Sequence, residues 1–497
     1  MKVAVLGILF WILAAAQTPG TFRATGSMTV PRAFHTATLL PNGKALIAGG
    51  GSATLELYDP ATGTFTATAT TASANVRSAT LLPDGTVLLI ESQNAELYDP
   101  STGTVTPTGS MIDGQSGYKA TLLTNGKVLI TGANNTDSTC CSKAANPQLY
   151  DPSTQAFSLT GPYADTGART AAGASGLIGV PAALLPDGKV LIASESAAEI
   201  FDPVSNSFNV TASMITTFDS GFAGSLKPDT LQNRTATLLP NGMVLLTGGQ
   251  PVEADFDTGY PAVNTAELYD SLGAVFRSTG NMITSRYMHT ATLLTDGRVL
   301  ITGGAGYSNS GLFLGGLATA ELYDSSTGTF TATGSMATRR AGASATLLND
   351  GRVLISGGSQ LQPGSAGAAG GLSSAEIYTP AVTIPAPSLF SISDDVRGQG
   401  AIWHAQTGQM ASADNPAVAG AALSMYTTSL AAGSVIAPQV IVGGRLAQVL
   451  YFGAAPGYPG YYQVNFLLPN SIPPGSAVPV RLTYIGRSSN TVTLAVQ

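Results

Sequence analysis

The amino-acid sequence predicts an all-β protein: a seven-bladed β-propeller closed by its own N-terminal strand, followed by a small β-sandwich. Three observations predict this fold. A Gly that follows Asp or Asn in a tight turn recurs seven times. A copy of the last strand of the repeat stands before the first complete unit. The repeat then stops near residue 380, and the remaining residues, up to 497, follow a different pattern.

Each repeat contains four strands, here called a to d. Asp-Gly or Asn-Gly between two apolar runs is a strong hairpin signal, because both central residues accept positive φ, and it joins strands a and b. Segments such as Asp99-Pro100-Ser101-Thr102-Gly103 make an equally short turn between strands c and d. The length of the unit is typical of propeller blades. The seven turn glycines are Gly43, Gly85, Gly126, Gly188, Gly242, Gly297 and Gly351.

The two ends of the repeat region complement each other. The last unit ends after Ala375-Glu376-Ile377-Tyr378 without a fourth strand. Residues 20–28 match residues 328–336, which contain such a fourth strand, at eight of nine positions. We therefore expect the N-terminal segment to complete blade 7. A ring closed in this way leaves no sheet edge free for aggregation.

The last part of the chain predicts a separate domain. Residues 381–386 are a linker punctuated by Pro, and residues 387–497 contain apolar and aromatic runs broken by Gly and Pro turns, as in a β-sandwich. One loop contains three tyrosines, Tyr458, Tyr461 and Tyr462. Such aromatics either bind sugars or partners or pack against their own sheet, and both interpretations stay open.

The first residues predict a signal peptide, residues 1–16. Met1 and Lys2 precede fourteen apolar residues that end in three alanines. This run is shorter than the ~20 residues that a bilayer span needs. We expect secretion, extracellular or periplasmic, of a mature chain without a membrane span. The propeller would then occupy residues 17–380.

Charge excludes some classes of partner and enzyme. With 22 Lys and Arg against 29 Asp and Glu, the net charge is −7, which argues against nucleic acid as a partner. About half of the acidic residues recur in nearly every blade, as the Glu of strand c, the Asp after it, or the Asp of the a–b turn. A single site does not need the same residue in every blade. These carboxylates therefore belong to the scaffold and do not predict a glycosidase.

Two loops carry further candidate groups. Cys140 and Cys141 are adjacent, and we expect a strained disulfide between them, because neighbouring Cα atoms are ~3.8 Å apart, below the ~4.4 to 6.8 Å usual for disulfides. Free thiols and an intermolecular bridge remain alternatives. Glu253, Asp255 and Asp257 form a weak Ca²⁺ candidate, but this loop lacks the Gly and the distant Glu of an EF-hand, and a solvated acidic loop is preferred.

Residues 20–380 resemble the kelch and galactose-oxidase type of seven-bladed propeller. The strand c sequence Glu-Leu-Tyr-Asp carries this resemblance, together with Gly-Gly pairs after strand b. The resemblance implies the fold but not the function, since that family includes both enzymes and binding scaffolds. Residues 387–497 resemble an uncharacterised immunoglobulin-like domain at the C-termini of bacterial secreted proteins, through segments such as Tyr462-Gln463-Val464-Asn465. The Gly-Gly pairs are Gly49-Gly50, Gly248-Gly249, Gly303-Gly304 and Gly357-Gly358.

The resemblance to galactose oxidase implies a test for copper, which that enzyme binds through two Tyr and two His, with one Tyr cross-linked to Cys. Tyr287-Met288-His289 is similar to its Tyr-His ligand pair, but Met stands where the Tyr before His is needed. The chain has only three histidines, and its two cysteines lie together. We therefore expect no cofactor.

The loop-rich end of the ring is the predicted ligand site. Strands alternate direction, so the long b–c and d–a connections share one end, where variable loops on a rigid scaffold usually form sites. At the entry of strand a and three residues before it, several blades carry charged or aromatic residues. The alternative is that these groups pair with the carboxylates of strand c. Glu91 and Glu195, which replace the Gly-Gly pair in blades 2 and 4, add acidic groups at the same end. The predicted site comprises His35, Arg77, Tyr118, Arg234, His289, Glu91 and Glu195, flanked by Arg32, Arg286 and Arg340.

Taken together, these patterns favour a secreted, non-catalytic module that binds an extracellular glycan or protein at the loop-rich end. Arg and Tyr side chains at that end suit hydroxyl-rich or anionic groups, with acidic sugars as first candidates. The alternative is a galactose-oxidase-like carbohydrate oxidase or another glycan-active enzyme.

Overall fold

The structure is a computed structural model, and its described part is entirely β-strands and their connections. Seven antiparallel four-stranded sheets and two further sheets account for almost all strands. Two small hairpins, inserted in blades 5 and 6, account for the rest. The structure describes residues 19–91, 93–113, 116–133, 146–164, 181–193, 197–215, 231–251, 262–307, 313–362, 370–393, 398–431 and 433–497.

The seven sheets are the predicted blades. In chain order their strands are β1 (Thr21–Ala24) of blade 7; β2 (His35–Leu39), β3 (Ala45–Gly49), β4 (Thr54–Asp59) and β5 (Thr64–Thr70) of blade 1; β6 (Ser78–Leu81), β7 (Val87–Ile90), β8 (Ala95–Asp99) and β9 (Thr104–Pro107) of blade 2; and β10 (Ser116–Leu122), β11 (Val128–Ala133), β12 (Gln148–Asp151) and β13 (Ala156–Leu159) of blade 3.

Blades 4 to 7 follow the same order. Their strands are β14 (Ala182–Leu184), β15 (Val190–Ala193), β16 (Ala197–Asp202) and β17 (Ser207–Ser213) of blade 4; β18 (Leu231–Gln232), β19 (Thr235–Leu238), β20 (Val244–Thr247), β21 (Gln250–Pro251), β22 (Ala266–Asp270) and β23 (Val275–Ser278) of blade 5; β24 (Thr290–Leu293), β25 (Val299–Thr302), β26 (Ala305–Tyr307), β27 (Phe313–Gly316), β28 (Ala320–Asp324) and β29 (Thr329–Ala332) of blade 6; and β30 (Ser344–Leu347), β31 (Val353–Ser356) and β32 (Ala375–Thr379) of blade 7. The additional hairpins are β18–β21 and β26–β27.

The a–b turns form as the sequence predicts. Gly297, for example, has φ of 87°, a conformation that suits Gly, and the Asp296 carboxylate accepts a hydrogen bond from the Arg298 backbone N–H at 3.1 Å. The apolar strand b that follows is fully buried, as β25 illustrates. Neighbouring blades pack their faces against it, which explains its continuous apolar run.

A hydrogen bond between neighbouring blades repeats around the ring. The buried Tyr of strand c bonds through its hydroxyl to a Thr from strand d, or just after it, in the preceding blade, at 2.8 to 3.0 Å. Blade 4 has Phe201 at this position. The repeated Tyr is therefore a scaffold residue. The six pairs are Tyr58–Thr25, Tyr98–Thr68, Tyr150–Thr108, Tyr269–Thr211, Tyr323–Thr279 and Tyr378–Thr333.

The N-terminal strand closes the ring, which confirms the prediction. β1 pairs antiparallel with β32, with Phe22 opposite Tyr378. The seven strands a contact one another in a complete circle, from β2 through β6, β10, β14, β19, β24 and β30 back to β2. They surround the central channel of the propeller.

The C-terminal strands form two sheets packed around a common core, as the β-sandwich prediction requires. Leu423, Val464 and Leu482 belong to this core. The domain boundaries given above remain predictions. The first sheet has the order β33 (Ile402–His404), β34 (Ala422–Thr427), β38 (Tyr462–Leu467), β37 (Val449–Ala454), and the second contains β35 (Gln439–Val442), β36 (Arg445–Ala447), β39 (Gly475–Tyr484), β40 (Arg487–Ser488) and β41 (Val492–Val496).

The sandwich lies against the end of the ring where the a–b turns are. The Val435 N–H donates to the Pro240 carbonyl at 2.8 Å, in the turn of blade 5. The Arg481 guanidinium donates to the Pro83 carbonyl at 3.4 Å, in the turn of blade 2. The long b–c and d–a connections therefore lie at the opposite end, away from the sandwich.

The predicted signal peptide lies outside the described residues. Within the part of the chain that the structure describes, no helix is long and apolar enough to cross a membrane.

Candidate functional site

Four of the five arginines predicted to line the ligand site are buried in ion pairs. Arg286 is representative: its guanidinium donates to the Glu321 carboxylate of strand c at 2.6 Å and to the Gly303 carbonyl at 2.8 Å, and both charged side chains are almost fully buried. The alternative left open by the sequence, pairing with strand c, therefore describes these residues. The four pairs are Arg32–Glu56 (3.0 Å), Arg234–Glu267 (2.8 Å), Arg286–Glu321 (2.6 Å) and Arg340–Glu376 (3.1 Å).

The Glu of strand c also connects neighbouring blades. Glu321 of blade 6 accepts hydrogen bonds from the backbone N–H groups of Ile283, at 2.6 Å, and Thr284, at 3.0 Å, both of which follow strand d of blade 5. Glu56 accepts from the Thr29 N–H at 2.7 Å in the same way. These contacts explain why the Glu recurs in the sequence.

The two propeller histidines are also buried between blades. The His35 Nε2 atom lies 2.9 Å from the Ser356 hydroxyl of blade 7, and the His289 Nε2 atom lies 2.9 Å from the Thr247 hydroxyl of blade 5. Burial, with nearby arginines, lowers the pKa of each histidine to about 3. Both rings are therefore neutral at physiological pH.

Blades 2 and 3 differ from this arrangement. The buried Glu91 carboxyl bonds to the Glu96 carboxyl, and burial followed by the Glu96 charge raises the pKa of Glu91. Tyr118 is buried as well and donates to the Ile90 carbonyl at 2.6 Å. Arg77 is half-buried at the entry of β6.

Some predicted groups lie outside the described residues. These are Glu195, the Ca²⁺ candidates Glu253, Asp255 and Asp257, and the cysteines Cys140 and Cys141.

A cavity of about 660 Å³ lies on the outer face of the first sandwich sheet. Its floor is set by cross-strand register: Trp403 of β33 lies opposite Ser424 of β34, which lies opposite Asn465 of β38. Their neighbours in sequence, such as Leu423 and Val464, face the core instead, because side chains alternate along a strand.

Aromatic rings form the walls of the cavity. Phe390 meets Tyr461 edge-to-face with centroids 5.5 Å apart, and Tyr426 meets both Trp403, at 5.5 Å, and Tyr458, at 6.1 Å. These contacts fix the rings while leaving part of each open, since Tyr458 is 60% and Tyr461 42% exposed. The loop tyrosines noted in the sequence thus contribute two rings to the cavity.

The polar groups that the described residues bring to the cavity are amides, a hydroxyl and an imidazole. The Gln463 amide nitrogen donates to the Ser424 hydroxyl at 3.2 Å and to the Asn465 amide oxygen at 2.9 Å. The His404 Nε2 atom lies 3.1 Å from the Asn415 carbonyl, which only accepts, so this nitrogen carries the hydrogen. Within the described residues, neither the Asn465 amide nitrogen nor the Trp403 indole nitrogen donates a hydrogen bond.

Sequence reasoning identified only part of this cavity. Tyr458 and Tyr461 were visible as a cluster, whereas Tyr462 packs against the sandwich core. Phe390, Trp403 and Tyr426 were missed, because they come from three distant segments and no repeat marks them. The available signal was alternation: in Leu423-Ser424-Met425-Tyr426 and Gln463-Val464-Asn465-Phe466 the outer positions are polar or aromatic.

No family model and no curated protein matches this chain. Among solved structures, it is similar to a fungal alcohol oxidase, described as having catalytic diversity among the AA5 family and solved in complex with copper. The TM-score is 0.59 at 16% identity, covering 97% of this chain and 100% of the other. This likeness supports the propeller fold.

The described residues do not bring together the copper ligands that the resemblance to galactose oxidase implies. His35 and His289 lie in blades 1 and 6, with the inner strand of blade 7 between them, and His404 lies in the sandwich. No group of three or more His, Cys, Asp or Glu able to hold a metal occurs within the described ranges. We therefore derive no step through copper.

Proposed function

We propose that the protein is a secreted, non-catalytic glycan-binding protein and that the cavity on the sandwich binds a neutral sugar unit. The observation that carries this proposal is a cavity of about 660 Å³ walled by five aromatic rings and lined, among the described residues, by no Lys, Arg, Asp or Glu. Its volume is typical of small-molecule sites.

The lining matches the two surfaces of a sugar ring. A pyranose has an apolar face of C–H groups, which packs on an aromatic ring such as Trp403, Tyr458 or Tyr461. Its hydroxyls need donors and acceptors, which the side chains of Asn465 and Gln463 supply. Because no Lys, Arg, Asp or Glu among the described residues lines the cavity, an uncharged sugar fits better than a uronic acid, whose carboxylate would lose water without gaining a cationic partner.

This proposal places the site on the sandwich rather than at the loop-rich end of the propeller. Four of the five arginines predicted for that end are neutralised by Glu and almost fully buried. The rings of Tyr458 and Tyr461 in the sandwich cavity, in contrast, are exposed to solvent, so substituting one of them changes an exposed surface.

A glycan array followed by calorimetry with the best neutral oligosaccharide tests the proposal. The double variant Tyr458→Ala/Tyr461→Ala should weaken binding at least tenfold, since one ring contact contributes about 1.5 kcal/mol. Tyr451→Ala is the matched control, because Tyr451 is 45% exposed on β37 of the same sheet and does not line the cavity. Equal binding by wild type and double variant, or equal loss in the control, contradicts the proposal.

A further inference from the structure

Lys119 occupies an unusual position in the ring of inner strands. It lies on strand a of blade 3, β10, which neighbours β6 and β14. The corresponding position carries a small residue in every other blade, so Lys119 is the charged member of the set. The corresponding residues are Thr36, Ser78, Pro181, Thr235, Thr290 and Ser344.

The Lys119 side chain is exposed to solvent, although its strand is the innermost of the blade. Neighbouring blades cover both faces of an inner strand, so the solvent that reaches Lys119 is that of the central channel. Strand a enters from the loop-rich end and leaves through the a–b turn. Lys119 precedes that turn by several residues and thus faces the half of the channel away from the sandwich.

Among the described residues, Lys119 has no partner for its charge. In the described part of the chain it makes no ion pair and its ammonium donates no hydrogen bond. Desolvation by the surrounding protein lowers the pKa of Lys119. Lys44, in contrast, pairs with Asp59 at 3.1 Å, and Lys127 pairs with Asp151 at 3.1 Å.

A second cation lies on the neighbouring inner strand. Arg77 directly precedes β6, its backbone N–H donates to the Ile90 carbonyl at 2.9 Å, and its guanidinium acts electrostatically on Tyr118. It forms no ion pair among the described residues. The buried arginines of blades 1, 5, 6 and 7 are paired with Glu, whereas Arg77 and Lys119 make no ion pair within the described residues. The buried carboxyls of Glu91 and Glu96 lie in the same part of the ring and hydrogen-bond to each other.

We propose that the central channel holds a second ligand site, which binds a small carboxylate through the Lys119 ammonium, with Arg77 as the supporting cation. A carboxylate suits this place because a cation surrounded by protein gains much from a charge-assisted hydrogen bond. Neutral hydroxyls such as Ser78 of β6 complete the lining without repelling an anion. The site is distinct from the sandwich cavity: it binds an anionic ligand, whereas the sandwich cavity binds an uncharged sugar.

Competitive labelling of the intact protein tests this site without a variant. Lysines are acylated with a trace of an isotope-coded succinimidyl ester at several pH values, and each is quantified by peptide mass spectrometry. The probe is the methyl glycoside of glucuronic acid, with methyl glucoside as the neutral control at matched ionic strength. Lys119 should react at lower pH than Lys44 and Lys127, and only the glucuronide should protect it. Unchanged labelling of Lys119 at saturating glucuronide overturns the proposal.

A length-matched variant gives the second test. Lys119→Met should lower the affinity for methyl glucuronide at least tenfold in calorimetry, while the neutral oligosaccharide binds the sandwich as before. Lys127→Met, which removes an ion-paired lysine from a turn, is the control and should bind the glucuronide normally. Normal glucuronide binding by Lys119→Met refutes the channel site and leaves the sandwich proposal untouched. If Lys119→Met does not fold, the labelling result on the native protein decides.

Discussion

Arg286→Met should destabilise the propeller severely, although this position looks like a rim residue in the sequence. Arg286 donates to the Glu321 carboxylate, to the Gly303 carbonyl and to the Thr319 carbonyl and hydroxyl. The substitution keeps the length of the side chain but leaves Glu321, 2% exposed, without its cation. Breaking a buried pair on one side costs about 3 to 5 kcal/mol, and two backbone N–H donors to Glu321 place the expected value near the lower end.

The assay is urea unfolding followed by far-UV circular dichroism. Tryptophan fluorescence is unsuitable, because Trp403, the tryptophan of the described chain, lies in the sandwich. The matched control is Arg298→Met in the same blade, since Arg298 pairs with Asp296 at 2.7 Å but both remain partly exposed. Such a pair contributes at most about 1 kcal/mol. If both variants unfold within about 1 kcal/mol of the wild type, the reasoning on buried pairs is wrong.

A double variant separates lost charge from lost packing. Arg286→Met/Glu321→Gln keeps an oxygen for the Ile283 and Thr284 N–H groups but removes the uncompensated charge. It should be more stable than Arg286→Met alone. If the double variant is as unstable as Arg286→Met, the lost stability comes from the contacts of Arg286 with the carbonyl groups and not from the uncompensated charge.

Two further predictions concern pH. Because the pKa of His289 is lowered to about 3, the unfolded chain binds a proton below about pH 6.5 that the folded chain does not bind, and the free energy of unfolding decreases as pH falls from 6.5 toward 3. In pH-dependent urea unfolding, His289→Gln should make this decrease shallower by up to ~1.4 kcal/mol per pH unit. Glu91 has the opposite effect on stability: because its pKa is raised, its contribution to the free energy of unfolding is largest at low pH and is lost as pH rises. Glu91→Gln should therefore unfold at higher temperature than wild type at pH 8 and at a similar temperature at pH 4.

The fold was predictable because the seven repeats of the chain can be aligned with one another. Seven copies of one unit showed which positions recur, and recurrence identified the Glu of strand c as scaffold, in agreement with its contacts between blades. The sequence also shows directly that blade 7 lacks a fourth strand and that a copy of this strand stands near the N-terminus. The pairing of β1 with β32 follows from these two features.

The role of the arginines was not predictable from the same alignment. Arg286 reaches its Glu from a position three residues before the entry of strand a, whereas Arg234 reaches Glu267 from the entry position itself. The same Arg–Glu contact thus arises from two positions in the repeat. The arginines varied between blades and were therefore predicted to be functional, although each is the partner of the recurring Glu of strand c. The sandwich cavity was hidden for a different reason, because it is assembled from segments that no repeat relates.

These contacts change where function is expected on the ring. Blades 1, 5, 6 and 7 each neutralise the strand c Glu with a buried Arg. In blade 3 the corresponding Gln148 is neutral, and its amide bonds to the Ile112 N–H and the Asp113 carbonyl, at 2.8 Å each. In blade 2, Glu96 meets a second carboxyl, Glu91, instead of a guanidinium. Strand c of blade 3 therefore carries no carboxylate that needs a cation, and Lys119 of this blade, which makes no ion pair among the described residues, is the cation left available to a ligand.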